Sequence, residues 1–220
     1  MTTTYKYKDI EYALKKSNRK TSSIYIERDG SISMLVPNQL SHSEIENILE
    51  KKRYKIYSHL AEWEDANTSK VYREFVSGEG FYYLGRTYKL EIVNEQDSPL
   101  KLKNGHFQLR KKDLSKAKEH FISFYKEKGK NKINGRVNYW KKLLNVQPKR
   151  IRIMELQNRW GSCTEKGNVN FHWKSIMTPL TIIDYIIAHE LTHLIHPNHS
   201  ESFWLELDKV MPDYHQRKSW

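Results

Sequence analysis

Between Thr178 and Leu194 the chain places Ile182, Ile183, Ile186, Ile187, Leu191 and Leu194 at helical spacing, leaving little polar surface on the segment. A helix this apolar has to lie deep in a domain, with other elements packed around it. The same segment nevertheless carries His189, Glu190 and His193. Burying a carboxylate is costly without compensation, so Glu190 needs a functional reason to be present.

Residues four apart on an α-helix stand one above the other, so His189 and His193 can aim both imidazoles at one point, a donor pair that favours zinc. Glu190, one step around the helix, is poised beside that point to take a proton from water; this is the H-E-x-x-H arrangement. A catalytic zinc has three protein ligands and an open fourth position, so a third donor is required. His196 continues the helix face but lies about 10 Å along the axis from His189, too far for both to reach one ion. Pro197 and Asn198 are expected to end the helix and turn the chain, which lets His199 return toward the metal. The expected zinc ligands are therefore His189, His193 and His199. Thr178 and Pro179 are read as N-cap and first residue of this helix, and Ser200 as the cap of a last one that buries Phe203, Trp204, Leu207 and Met211.

Upstream, alternating runs at Ser23–Glu27 and Ser31–Val36 flank Asp29-Gly30 and predict a hairpin with a two-residue turn. Ser41 with Glu44 forms a capping-box pattern, and Ile45 to Trp63 recur at helical spacing, predicting a helix to about Glu64. Two further hairpins are expected around Gly85-Arg86 and Asn104-Gly105. From Asp113 the period changes. Leu114 to Tyr125 and Ile133 to Leu144 predict two helices interrupted at Gly129, which puts a domain boundary near Lys112. Arg150–Leu156 and Asn168–Trp173 read as strands bordering the metal site, joined by an Arg159–Gly167 connection. Asn168–Trp173, the strand just before the histidine-bearing helix, is the candidate edge for an extended substrate.

Composition narrows the partners. The chain has 220 residues and a formal charge of +12, a field attractive to nucleic acid, nucleotides or acidic proteins. Basic clusters at Arg110-Lys111-Lys112, Lys126–Lys132 and Lys149-Arg150-Arg152 read as solvated faces. A mean hydropathy of −0.81, with no apolar segment near the roughly 20 residues a bilayer needs and no apolar leader, points to a cytoplasmic protein with no membrane partner. One cysteine, Cys163, excludes an intramolecular disulfide and a multi-cysteine zinc ribbon.

Arg159-Trp160-Gly161-Ser162-Cys163, Gly167-Asn168, the H-E-L-T-H helix, Asn198-His199-Ser200 with Phe203-Trp204, and Met211-Pro212-Asp213-Tyr214 occur in an order that resembles the YgjP-like metallopeptidase family. Gly80–Arg86 with Tyr88 and Leu90 resembles that family's amino-terminal region, so the likeness covers most of the chain. The family looks like a minimal zincin, more distantly related to SprT-like and WLM proteases. The resemblance implies one zinc ion on His189, His193 and His199, Glu190 as general base, and a peptide or protein substrate. The expected fold is α+β. A zincin-like catalytic domain with an HExxH active-site helix spans 113–220, preceded by a β-rich amino-terminal domain of hairpins plus a helix over 1–112. Arg159 and Trp160 are candidate substrate contacts, with His172, His196 and His215 as weaker candidates for oxyanion donors. Two rival functions stay open: a zinc hydrolase of a small anionic substrate such as a nucleoside triphosphate, and a nucleic-acid-associated module with a structural metal.

Overall fold

Ile10 and Tyr12, then Ile32, Met34 and Val36, alternate with less buried residues, and each set turns one side of a strand toward a common core with Ile45, Leu49 and Ile56 of a helix. The computed structural model describes residues 4–27, 29–68, 73–157 and 159–220, with side chains excepted at 65–68. It divides into two compact units, Met1–Tyr72 and Arg73–Trp220.

The first unit runs β1 (Thr4–Tyr7), β2 (Ile10–Ser17), β3 (Ser23–Ile26), β4 (Ile32–Pro37) and α1 (His42–Thr68), with sheet order β1-β2-β4-β3. β2 and β4 are parallel; the other pairs are antiparallel. The capping box forms as expected. The Ser41 amide donates to Glu44 Oε2 at 2.8 Å and the Glu44 amide to Ser41 Oγ at 3.4 Å. The hairpin is present, but its strands stop at Ile26 and resume at Ile32, a longer loop than the two-residue turn expected. Gly30 takes φ 84° there and lies under Trp63, where a Cβ would come within 2.8 Å of the indole. Strands β1 and β2 were not anticipated, because the Tyr-Lys alternation leading into them hides the short buried face of Ile10 and Tyr12.

The second unit contains β5 (Gly80–Tyr83), β6 (Arg86–Val93), β7 (Leu100–Lys103), β8 (His106–Arg110), a 3-10 segment Lys111–Lys116, α2 (Ala117–Leu143), β9 (Arg150–Met154), β10 (Gly161–Cys163), β11 (Asn168–His172), a second 3-10 segment Trp173–Met177, α3 (Leu180–Thr192), α4 (Glu201–Val210) and α5 (Tyr214–Lys218). One sheet has order β5-β6-β8-β7 and the other β10-β11-β9. The boundary expected near Lys112 therefore falls inside a compact unit. Phe81 lies 4.3 Å from Phe121 between ring centroids, and Phe107 lies 5.1 and 5.2 Å from Phe121 and Phe124, so the strands over 80–110 share one core with α2. A change of hydrophobic period marks a change of element, not the edge of a core.

The β5–β6 turn falls on Leu84-Gly85, both at positive φ, as at Asn104-Gly105 in the next hairpin. Its tip reaches the 3-10 segment that leads into α3: Leu84 and Gly85 amides donate to the Ile176 and Met177 carbonyls at 2.9 and 3.0 Å. A Cβ on Gly85 would sit 2.9 Å from Pro179, which caps α3 one residue later than the sequence suggested. α2 runs unbroken through Gly129, which is buried and lets Ile153 of β9 approach to 3.3 Å of where a Cβ would be. Arg136 of α2 grips Asp184 of α3 with two hydrogen bonds of 2.6 and 2.7 Å, fixing one helix against the other. Among the described residues no helix is long and apolar enough to cross a membrane.

Candidate metal centre

α3 delivers His189 and Glu190, and then ends at Thr192, five residues before Pro197, because the chain tightens into bonds from the Leu194 amide to Leu191 and from the Ile195 amide to Thr192, each 3.0 Å. His196 thus lies past the helix. Its backbone takes a role instead: the His196 carbonyl, which can only accept, faces His193 Nδ1 at 3.1 Å. That places the His193 proton on Nδ1 and leaves Nε2 with a free lone pair.

The Pro197–Ser200 turn returns His199 to the helix end. His199 Nε2 lies 2.9 Å from His189 Nε2, and ring centroids are 4.6 Å apart for His193–His199 and 5.0 Å for His189–His193. One nitrogen from each of the three rings falls within a common 4.8 Å. Phe203 of α4 packs within 4.9 Å of all three rings, and Trp204 stacks on His199, so the apolar face of α4 sets their orientation. Tyr214 stacks on Trp204 in turn, and the Lys218 amine lies 4.5 Å from the Trp204 ring.

Burial, then the neighbouring His193 and His199, drive His189 down to about 3; burial also lowers His199. His189 and His199 are thus held neutral. His189 Nε2 and His199 Nε2, 2.9 Å apart, can share one proton in a hydrogen bond or turn both lone pairs to one cation, and with His193 Nε2 beside them this donor set fits a zinc ion. The orienting bond seen at His193 has no counterpart at His189, whose Nδ1 is buried without a partner among the described residues.

Glu190 is 8% exposed, and burial pushes its carboxyl up to about 7, with the Arg159 charge pulling the other way. β10 runs against it so closely that a Cβ on Gly161 would lie 2.7 Å from Glu190 Oε1 and 2.5 Å from its Cγ. Gly161 lies in the Arg159–Gly167 stretch expected to be a connection; a three-residue strand beginning on glycine gives no periodic signal. β10 also corrects the choice of strand. β11 (Asn168–His172) is central, flanked by β10 and β9, and has no free edge, whereas β10 is the edge strand beside Glu190.

The remaining candidates divide. Arg159 and Trp160 are exposed at the entry to β10, while the Trp160 carbonyl accepts from the His172 amide at 2.8 Å. His172 is buried away from the cluster, with Nε2 3.1 Å from Glu155 and Nδ1 accepting from the Lys174 amide. His215 stacks on Tyr214 at 4.0 Å. The Cys163 thiol is raised by burial and then by Glu190, the reverse of what a nucleophile needs. Tyr185, one turn before His189, was missed; its phenol is raised by burial first and by Glu190 next.

A buried helix bearing H-E-x-x-H, a third imidazole returned by the following turn, and an edge strand against the glutamate thus meet at one place, where three ring nitrogens could hold a metal ion. A family model described as YgjP-like, metallopeptidase domain, matches residues 20–220. The chain belongs to the YgjP-like metallopeptidase family. Among solved structures, the metallopeptidase zymogen of Pyrococcus abyssi abylysin is 25% identical over 40% of this chain and 89% of that chain, at a TM-score of 0.37, too low an overlap to inform the architecture. No curated protein matches the chain.

Proposed function

We propose that the protein is a cytoplasmic, zinc-dependent peptidase with His189, His193 and His199 as ligands and Glu190 as general base. The observation that carries this reading is three imidazole nitrogens within 4.8 Å of one another beside a buried carboxylate adjacent in sequence to the first of them. A zinc ion there supplies Lewis acidity, polarising a carbonyl and bringing the pKa of water toward neutrality. Glu190 takes the proton from the attacking water and hands it to the leaving amine. Its low-dielectric surroundings suit a group that must hold a proton only in passing. Gly161 keeps the β10 backbone against the Glu190 side chain, so a substrate extended along the β10 edge brings its peptide bond to the same place. Arg159 and Trp160, exposed at the entry to that edge, contact the substrate.

The test offers zinc-loaded full-length chain casein and a peptide library beside nucleoside triphosphates, with Glu190→Gln as the blank. Cleavage of peptides that the blank lacks is expected; turnover of nucleotides alone overturns the peptidase reading. Zinc measured in the His199→Ala chain tests the ligand set, which predicts its loss.

A further inference from the structure

The sheet that carries β10 has a second edge. β9 pairs only with β11 among the described residues, and its outer edge runs along α2. Between them lies a groove of about 520 Å³ bordered by Lys126 and Lys130 of α2 and by Ile151, Arg152, Ile153 and Met154 of β9. Two basic clusters separated by some twenty residues in sequence, each readable alone as a solvated face, are brought together here. Glu127 also borders the groove, with the Lys128 amine 3.9 Å from its carboxylate.

The chemistry of the groove is mixed in a way that selects its occupant. Three cations, Lys126, Lys130 and Arg152, favour an anionic ligand. The floor, however, is aliphatic: Ile151 and Ile153 are half-buried and Met154 is 39% exposed. No aromatic ring borders the groove on which a base could stack, as nucleic-acid channels require. An edge strand offers unpaired backbone donors and acceptors at the spacing of another polypeptide.

We propose that this groove docks an extended acidic segment of a polypeptide, which adds as a strand to the β9 edge, packs its apolar residues on the aliphatic side chains of one face and sets its carboxylates against Lys126, Lys130 and Arg152. The partner is the substrate of the peptidase proposed above, gripped at a second point, and that part rests on the peptidase reading. Strands lie about 4.8 Å apart, so a segment on β9 and one on β10 are separated by about four strand spacings, roughly 19 Å. The acidic segment therefore lies on the order of six or more extended residues from the bond that is cut.

The experiment uses the full-length Glu190→Gln chain, which holds substrate without turnover, and labelled peptides of about eight residues followed by fluorescence anisotropy. A peptide alternating valine with glutamate is expected to bind, to weaken with added salt, and to lose about tenfold or more in affinity to the Lys130→Glu/Arg152→Glu chain. Both substituted side chains are exposed, and an unchanged thermal melt establishes that the variant folds. The same peptide with lysine for glutamate, or with prolines that block strand pairing, is expected to bind far more weakly. Equal binding of the acidic and basic peptides, or no effect of the double reversal, overturns the proposal. So does single-stranded DNA that outcompetes the peptide in a manner sensitive to the reversal, which assigns the groove to nucleic acid. A cleavage arm separates the two readings. In the chain with native Glu190, the double reversal should raise KM for a substrate bearing the acidic segment and leave kcat in place. Peptide binding with no cleavage of any peptide would sink the peptidase reading and leave the docking groove standing.

Discussion

The two compact units bury different kinds of residue. The first closes over Ile10, Tyr12, Ile32, Met34, Val36, Ile45, Leu49 and Ile56, an apolar core. Every buried polar or charged residue among those described, namely His172, Ser175, Thr178, Asp184, Glu190 and Thr192, belongs to the second. Most of these are accounted for by partners: Asp184 by Arg136, His172 by Glu155, Thr178 and Thr192 by the carbonyls of Ser175 and Ala188. Glu190 has no hydrogen bond or ion pair to another described residue, and it stands next to the imidazole cluster. The charge is just as unequal. The second unit's sequence holds 26 Lys and Arg against 16 Asp and Glu, a net +10, whereas the first holds 12 against 10. A unit whose core is set by packing alone needs no such costs, so the residues that break the packing rules mark where the chemistry is.

The sharpest way to break this contrast is to remove Glu190, a buried carboxylate with no hydrogen bond or ion pair among the described residues. Glu190→Gln keeps the shape and the three imidazoles, and is expected to retain zinc while lowering peptide hydrolysis by about 10³-fold. Metal analysis beside the rate decides it. A variant that cleaves at the native rate would mean that Glu190 is buried for structural reasons.

Next in size is a pair of core truncations that test where one unit ends. Phe107→Ala opens a hole among Phe81, Phe121 and Phe124 and is expected to cost about 3–5 kcal/mol in the unit that holds the metal centre, lowering the temperature at which zinc is released. Met34→Ala, fully buried in the other core, should cost about 2–5 kcal/mol of that unit's stability and leave the zinc-release temperature in place. Thermal melts read alongside zinc release distinguish them. If Phe107→Ala leaves zinc release unmoved, a boundary near Lys112 is right after all.

Gly161→Ala sharpens the comparison within the second unit. The added methyl has to share space with the Glu190 carboxylate, so the carboxylate must move by the order of an ångström; a misplacement of that size costs about a hundredfold in rate. Zinc content should be native, since the three atoms nearest the new methyl all belong to Glu190. Loss of zinc together with activity would show that β10 supports the ligands and not the glutamate.

How much of this was legible in the sequence follows from the physics of each element. The H-E-x-x-H helix was readable because helical spacing is local and its apolar stripe is long. That His199 lies beside His189 and His193 agrees with the return of the chain expected after Pro197, although the helix ends earlier, at Thr192. Tertiary contacts were not readable. Gly129 looks like a helix breaker until Ile153 is seen to need the space, and β10 is three residues long with a glycine first. That the hairpin tip at Leu84-Gly85 holds the segment leading into α3 depends on two backbone bonds spanning more than ninety residues, which no periodicity records.

The smallest effect expected is at His196, and it separates the side chain from the backbone at one position. The imidazole of His196 sits beyond the end of α3, outside the cluster formed by His189, His193 and His199. Its carbonyl, however, orients His193 through Nδ1 at 3.1 Å. His196→Ala removes the half-buried ring and keeps the carbonyl, so zinc affinity and rate should stay within about twofold of native and stability within about 1 kcal/mol, the centre of the range for point substitutions. His196→Pro keeps the carbonyl too, but it deletes the amide that donates to Thr192 at 2.9 Å and should loosen the turn. Because orienting partners of metal-binding histidines are worth about 10–100-fold in affinity, zinc should bind more weakly to the proline chain than to the alanine chain, as a competitive chelator titration would show. Equal affinities would mean that the His196 carbonyl does not fix the His193 ring, and that α4, through Phe203, orients it alone.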